Sequence, residues 1–257
     1  MFHMSETWRL LKTGYADAYT NMAMDKAILE AHSEGSVPPT VRFYQWNPPA
    51  VSIGYFQSLE AEVDTLECRR RGVNYVRRVT GGGAVYHDKE LTYSIVIGES
   101  HPEIPGNILE SYSRICGALI KGLRHLGINS SYAPINDIVV NGKKISGNAQ
   151  TRKNKTVLQH GTILMDVDVD TMFTLLKVPD EKIKGKLIED IKERVTSLKQ
   201  VLGREVAFDE VADALKKGFE EEFNIKLVED SLTREEEELT KEFKLKIFSR
   251  EEWNHRR

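Results

Sequence analysis

Cysteine is nearly missing from this chain of 257 residues: only Cys68 and Cys116 occur. They lie far apart and outside any CxxC spacing, which excludes a disulfide framework and a zinc cluster and points to a reducing compartment. A basic excess is missing too. The formal net charge is −3, with 36 Lys+Arg against 39 Asp+Glu, whereas a duplex-binding protein carries a cationic surplus. No apolar run approaches the ~18 residues of a membrane span, and the N-terminus has no signal-peptide apolar segment. A cytoplasmic protein is therefore expected, with neither nucleic acid nor membrane as partner. Internal repeats and low-complexity linkers are also absent. What remains is an ordinary globular composition, 40% hydrophobic and 29% charged, long enough to bury a full core without staples.

Strand-like and helix-like runs interleave. WRLLKTG, TVRFYQW, AVSIG, VNYVRRV, AVYH and LTYSIVIG read as strands, with Asn47-Pro48-Pro49 splitting the second from the third. Asp17 to Ser33 and Asn107 to Leu126 read as helices, the latter with Ile108, Tyr112, Ile115, Leu119 and Leu123 as its apolar stripe. DIVVNGKKISG predicts a hairpin, because Asn141-Gly142 sits between two strand-like arms. TVLQHGTILMDVDV adds another strand. Beyond Asp170 the pattern is mostly helical: Val211, Leu215, Phe219 and Phe223 recur every four residues, and Thr233 to Glu236 fits a capping box. The strands cluster in hairpin-like groups, so an α+β fold is expected rather than a doubly wound parallel sheet. A single catalytic domain, 1–257, is expected, with a core of about 34–200 and a helical appendage over about 201–257.

Three segments carry unusual chemistry. In RRVTGGGAVYHD, Gly81, Gly82 and Gly83 stand between two strand-like runs. Three consecutive glycines are costly to order, so the backbone is expected to lie close to something. Neither a Walker loop nor the dinucleotide fingerprint fits, since Tyr86 stands where either would need glycine. Bare N–H groups still form anion-binding nests, and Arg78 adds a cation suited to phosphate or carboxylate. The plain alternative is a flexible hairpin loop with Arg78 in solvent.

In PINDIVVNGKKISGNAQTR, Lys143 and Lys144 follow the turn and point to opposite faces. An inward lysine needs an anion; Asp137 would serve in the empty protein and a phosphate in the occupied one. The alternative is a pair of solvated hairpin lysines. In QHGTIL, His160-Gly161 interrupts a strand, which suggests close approach of a ligand or a backbone, or else a core histidine bonded to a carbonyl.

Taken together and in this order, the three segments resemble the lipoate–protein ligase family, and Asn21-Met22-Ala23-Met24-Asp25 resembles that family's first helix. The likeness runs from about Asn21 to Val195. It implies a fold shared with biotin ligases and class II synthetase domains: a mixed, largely antiparallel sheet with packed helices. It implies an ATP-dependent ligase that makes lipoyl-AMP from lipoate and Mg-ATP, then passes the lipoyl group to a lysine of an acceptor. The implied acceptors are apo lipoyl domains of 2-oxoacid dehydrogenase complexes and the glycine-cleavage H protein. Lys144 matches the active lysine. Arg78, Gly81, Gly82, Gly83, Ala84, Val85, Tyr86 and His87 match the nucleotide-binding segment. Asn136, Asp137 and Gly147 belong to the lysine hairpin, with Asp137 as the candidate Mg²⁺ ligand. His160 and Gly161 match the wall beside the lipoyl chain. The chain resembles the bipartite archaeal type, in which a separate accessory protein completes the enzyme.

Two relations of that family are rival readings. A lipoyl or octanoyl transferase of the same superfamily needs no ATP and passes the acyl group through a cysteine just upstream of the hairpin or close to the active lysine; Ile128 to Pro134 contains none. Biotin ligases carry a GRGR-type loop, which VTGGGAVYH replaces. A member that binds the acyl group or its acceptor without turnover is the third reading, against which the intact Lys144 and Arg78 speak.

Overall fold

The computed structural model describes residues 6–178 and 181–256. Residues 1–5, 179, 180 and 257, which fall inside the expected 1–257 domain, lie outside the described residues, as do the side chains of 181–184.

The first half alternates as expected. Strand β1 (Glu6–Ala16) leads to helix α1 (Ala18–Ser33), where the Asp17 side chain accepts from Thr20 N and caps the helix. Strands β2 (Thr40–Trp46) and β3 (Ala50–Ile53) follow, then two short helices in the charged segment, α2 (Leu59–Glu62) and α3 (Thr65–Arg71). Strands β4 (Asn74–Arg77) and β5 (Val85–His87) flank the glycines, and β6 (Glu90–Gly98) completes this part. Helix α4 (Ile108–His125), strand β7 (Ser131–Ala133) and the three strands β8 (Asp137–Val140), β9 (Lys143–Lys153) and β10 (Thr156–Leu164) come next. Asn141 and Gly142 adopt φ of 50° and 77°, the left-handed pair that the Asn-Gly hairpin demands.

Then come α5 (Val169–Leu175), α6 (Glu181–Arg194), α7 (Leu198–Leu202) and α8 (Phe208–Phe223), strand β11 (Ile225–Asp230) and α9 (Arg234–Phe243). A π-helical turn, Lys244–Phe248, and α10 (Glu251–Asn254) follow.

The fold is mixed α+β, as the patterning implied. Eight strands form one sheet in the order β11-β1-β2-β6-β10-β9-β8-β7, parallel across β11, β1 and β2 and antiparallel from there on. A second sheet holds β4-β3-β5. The hairpin-like group expected of VNYVRRV, AVYH and LTYSIVIG does not form. β4 pairs parallel to β3 and β5 pairs antiparallel to its other edge, while β6 joins the large sheet. All four residues of β3 are buried, so this strand takes a partner on each side. The glycines therefore cross from one edge of β3 to the other instead of closing a hairpin.

The main core lies between the large sheet and the pair α4–α8. Val211, Leu215, Phe219 and Phe223 are buried, as are Ile115, Leu119 and Leu123 of the opposing helix. The helices cross at Gly122 and Gly218: a Cβ on Gly218 would fall 2.2 Å from Ala118 O. Ile108 departs from its expected stripe and is 55% exposed, because it begins the helix beyond the sheet.

The segment after Val201 is not all helix. Asn224, at φ 51°, ends α8, and β11 pairs in parallel with β1, Glu6 opposite Ile225. The run IKLVED was missed because only Ile225 and Leu227 are buried on this edge strand. The expected Thr233–Glu236 capping box is present. Glu236, fully buried, also accepts from Arg9 of β1 at 2.8 Å.

Candidate active site

The two sheets meet along a cavity of about 160 Å³. Its inner wall comes from α1, β2, β3, β5 and β6, through Met22, Tyr44, Trp46, Ser52, His87 and Thr92. The glycine loop covers one side with Gly82, Gly83, Ala84 and Val85, and the β8–β10 hairpins bring Asn136, Lys144, Gly147, His160 and Gly161 from the other. Thus most of the residues singled out in three distant segments do converge. Three do not. Gly81 and Asp137 are not part of the wall, Asp137 reaching it only through Lys144, and Tyr86 packs into the cluster of Val51, Ile53 and Cys68 beneath the small sheet. The cause for Tyr86 is strand alternation: Val85 and His87 face the cavity, so Tyr86 must turn away. Burial pushes its phenol up to about 12.

Arg78 is buried, not solvated, and it does not hold free donors toward a phosphate. Its Nη2 donates to the carbonyls of Gly81 (2.8 Å) and Gly83 (3.0 Å), and Nη1 to Ser52 O (3.0 Å) and Oγ (2.8 Å). Its Nε donates to Thr80 Oγ1 at 3.3 Å. Desolvation lowers the guanidinium to about 10, which still leaves it charged at neutral pH. The glycines are needed for this wrapping and for a close approach. Gly82 takes φ 95°, and a Cβ on Gly54 would fall 2.0 Å from Gly82 O. The bare main chain is thus pressed against protein as well as against the cavity.

From Arg78 two hydrogen-bond chains run to buried carboxylates. In one, Ser52 Oγ meets His87 Nε2 at 2.7 Å and His87 Nδ1 meets Glu90 Oε1 at 2.6 Å. In the other, Thr80 Oγ1 meets His160 Nε2 at 2.7 Å and His160 Nδ1 meets Asp25 Oδ2 at 3.1 Å. Trp46 stacks on His87 with ring centres 4.1 Å apart and donates to Thr92 Oγ1 at 2.7 Å. Burial lowers His160 below the ordinary imidazole value, so it is neutral and accepts the Thr80 hydroxyl. Burial opposes the Asp25 charge, but His160, Arg42 at 2.8 Å and Ser94 outweigh it and hold the carboxyl below its usual range.

The hairpin side is built differently. Lys144 Nζ lies 2.7 Å from Asp137 Oδ1, with side chains 42% and 33% exposed. This is the carboxylate partner expected for the empty protein. Gly147 makes room for it, since a Cβ there would fall 2.8 Å from Lys144 Nζ. Gly161 does the same for Asn148, whose Oδ1 would lie 2.2 Å from a Cβ at that position. The His-Gly interruption therefore marks close approach of a neighbouring strand. Asp137, the candidate Mg²⁺ ligand, faces a cation, and among the described residues no group of three His, Cys, Asp or Glu is placed to hold a metal ion.

Both cysteines are fully buried outside the cavity. Desolvation pushes Cys68 up to about 11 and Cys116 up to about 12, so both stay protonated and inert. Sequence reasoning missed Tyr44, Trp46, Ser52, Thr80 and Thr92. Alternation along TVRFYQW and AVSIG gives each strand two faces, but both faces are buried here, so no hydrophobic pattern separated cavity from core.

Comparison with known proteins corrects the activity. Octanoyltransferase LipM of Geobacillus kaustophilus is 41% identical over 275 aligned positions, covering 98% of this chain and 99% of its own. Octanoyltransferase LipM of Kyrpidia tusciae is also 41% identical, covering 98% and 100%. A solved structure described as a bi-partite lipoate protein ligase from Thermoplasma acidophilum superposes with a TM-score of 0.88 at 35% identity, covering 98% of this chain and 97% of that one. The expectation of an ATP-dependent ligase working through lipoyl-AMP does not stand, because these curated relatives are transferases, and ATP and Mg²⁺ lose their support with it. The transferase had been set aside for want of a cysteine upstream of the hairpin, and full-length relatedness outweighs that single departure. Residues 17–220 match the lipoyl protein ligase A/B catalytic domain, and the chain belongs to that family.

Proposed function

We propose that this chain is an octanoyl-class acyltransferase. It takes a medium-length acyl chain from an activated thioester donor and places it on a lysine amine of a lipoyl-domain acceptor. The observation that carries this reading is the half-exposed Lys144 ammonium, held by one carboxylate, beside a cavity lined by Met22, Tyr44 and Trp46. Apolar walls suit a hydrocarbon chain, whose transfer from water is favourable by about 0.8 kcal/mol per methylene. The names of the octanoyltransferase relatives supply the acyl class, and the lipoyl domain of the archaeal system supplies the acceptor class. Lipoyl domains of 2-oxoacid dehydrogenase complexes and the H protein are the acceptors to try first. The accessory protein was expected for adenylation and has no place in this reading.

Each part of the site has a task. The inner wall binds the chain and excludes water. Arg78 fixes the glycine loop, so the main chain that borders the acyl group does not have to reorganise during reaction. Lys144 stabilises the oxyanion that forms as the acceptor amine attacks. The deciding experiment incubates the purified chain with an octanoyl thioester of pantetheine and an apo lipoyl domain, without nucleotide. The acceptor should gain the mass of one octanoyl group; no gain at any donor concentration overturns the reading.

A further inference from the structure

We propose that Lys144 is itself a site of acylation: when no acceptor domain is at hand, the seated acyl group passes to its Nζ as an amide, and the chain silences its own site. The inference rests on the acyltransfer reading above and adds a modification site to it.

The proposed reaction joins an acyl group to a lysine amine, and one lysine already stands beside the acyl cavity. Among the described residues Lys144 is the lysine that lines it. Its neighbour Lys143 is exposed and lies outside the wall. The Lys144 side chain is half-exposed and held by a single ion pair, Nζ to Asp137 Oδ1 at 2.7 Å. Gly147 gives the end of that chain its room, since a Cβ there would fall 2.8 Å from both Cε and Nζ. Meanwhile Met22, Tyr44 and Trp46 would hold the hydrocarbon in the same cavity. Amine and acyl carbon then meet within one molecule, where effective molarities reach about 10⁵–10⁸ M when the geometry is right.

The chemistry of the products decides where acyl groups collect. Hydroxyls of Ser52, Thr92 and Thr162 border the cavity too. An ester on any of them would still exchange with an amine, as a thioester does. An amide does not return. Whatever route the acyl group takes into the cavity, Lys144 is the place where it can be lost.

Asp137 supplies the proton acceptor. The Lys144 ammonium gives one proton to that carboxylate, and the nitrogen forms the C–N bond with the thioester carbon. The C–S bond breaks, the sulfur leaves with the electron pair, and it takes up the second proton from nitrogen. Amide and thiol are the products, and Asp137 returns its proton to solvent. The modified chain has lost the ammonium that serves the oxyanion, its cavity holds the acyl tail, and Asp137 has no cation beside it. Acceptor amines compete for the same acyl group, so the loss is fast only when acceptor is scarce.

The test incubates the full-length protein with an excess of the pantetheine octanoyl thioester, without acceptor. Hydroxylamine then strips esters and thioesters, and peptide mass mapping locates the amides that remain. One octanoyl amide should accumulate at Lys144. Transfer activity, measured afterwards with fresh donor and acceptor, should fall in step with it, the modified chain turning over roughly 10²–10³-fold more slowly, as expected when one charge-stabilising donor is removed. Saturating acceptor present from the start should slow the modification at least about tenfold, because both amines draw on one acyl group. Lys144→Arg should carry no amide at that position, and Lys143→Arg should be modified at Lys144 as fast as the parent. Amides spread over exposed lysines without preference, or none at Lys144 in a protein that does acylate the acceptor, overturn self-acylation and leave the acyltransferase reading intact. No amide and no transfer to the acceptor sink both.

Discussion

Arg78 and Lys144 border the same cavity, yet they are held in opposite ways. Arg78 is 5% exposed and surrounded by neutral acceptors, with its two nearest carboxylate-bearing chains each one hydroxyl and one imidazole away. The Lys144 side chain is 42% exposed and leans on one carboxylate. The first cation is built into the wall. The second is free to exchange its partner. The difference teaches that charge at a site serves two ends: a buried, fully bonded cation shapes the backbone, and an exposed, singly bonded one moves with the reaction.

The largest expected effect comes from breaking the fixed side. Arg78→Ala strands the acceptors at Ser52, Thr80, Gly81 and Gly83; about 3 kcal/mol of stability should be lost, seen in calorimetry as a Tm lower by roughly 6–12 °C, together with most activity. Arg78→Lys should rescue little, because an ammonium cannot span these divergent acceptors. Lys144→Ala should lower kcat by roughly 10²–10³ with an unchanged Tm. A parallel fall in Tm, or near-normal turnover, would erase the contrast between the two cations.

Acidification probes the wall from another direction. His160 is depressed in the folded protein, so the unfolded chain takes up its proton first as pH falls. Stability is full above the unfolded value near 6.5 and should decline below it, with the Asp25 contribution lost only under the ordinary carboxylate range. His160→Gln should flatten the Tm profile between pH 7 and 5; an unchanged slope would mean that the imidazole is not held neutral. The smallest effect should come from Lys143→Ala. Lys143 is exposed at the start of β9 beside Lys144, and turnover should stay within about twofold.

The strongly patterned parts of the molecule were legible. The Asn141-Gly142 turn, the stripe of α8 and the cap at Thr233 each announce themselves within a few residues, because local backbone preference and burial agree there. The three chemical segments were legible as candidates, and the fold does bring Lys144, Gly83 and His160 to one cavity. What could not be read is what each partner does. Arg78 looked like a ligand for anions, but its donors close on carbonyls several residues away in space and sequence. Ser52 and Thr92 lie on strands buried on both faces, where a cavity leaves no periodic trace. β11 shows only two buried residues in six, too short a pattern to oppose the helices around it.

The pairing of β11 with β1 sets a timetable for synthesis. Strand β1 receives one of its two neighbours only after residue 230 has emerged, and the buried Arg9 waits still longer for Glu236. Until then a nascent chain displays an open strand edge with unmet amides, so its vulnerability to sticking should last until β11 and α9 have been made.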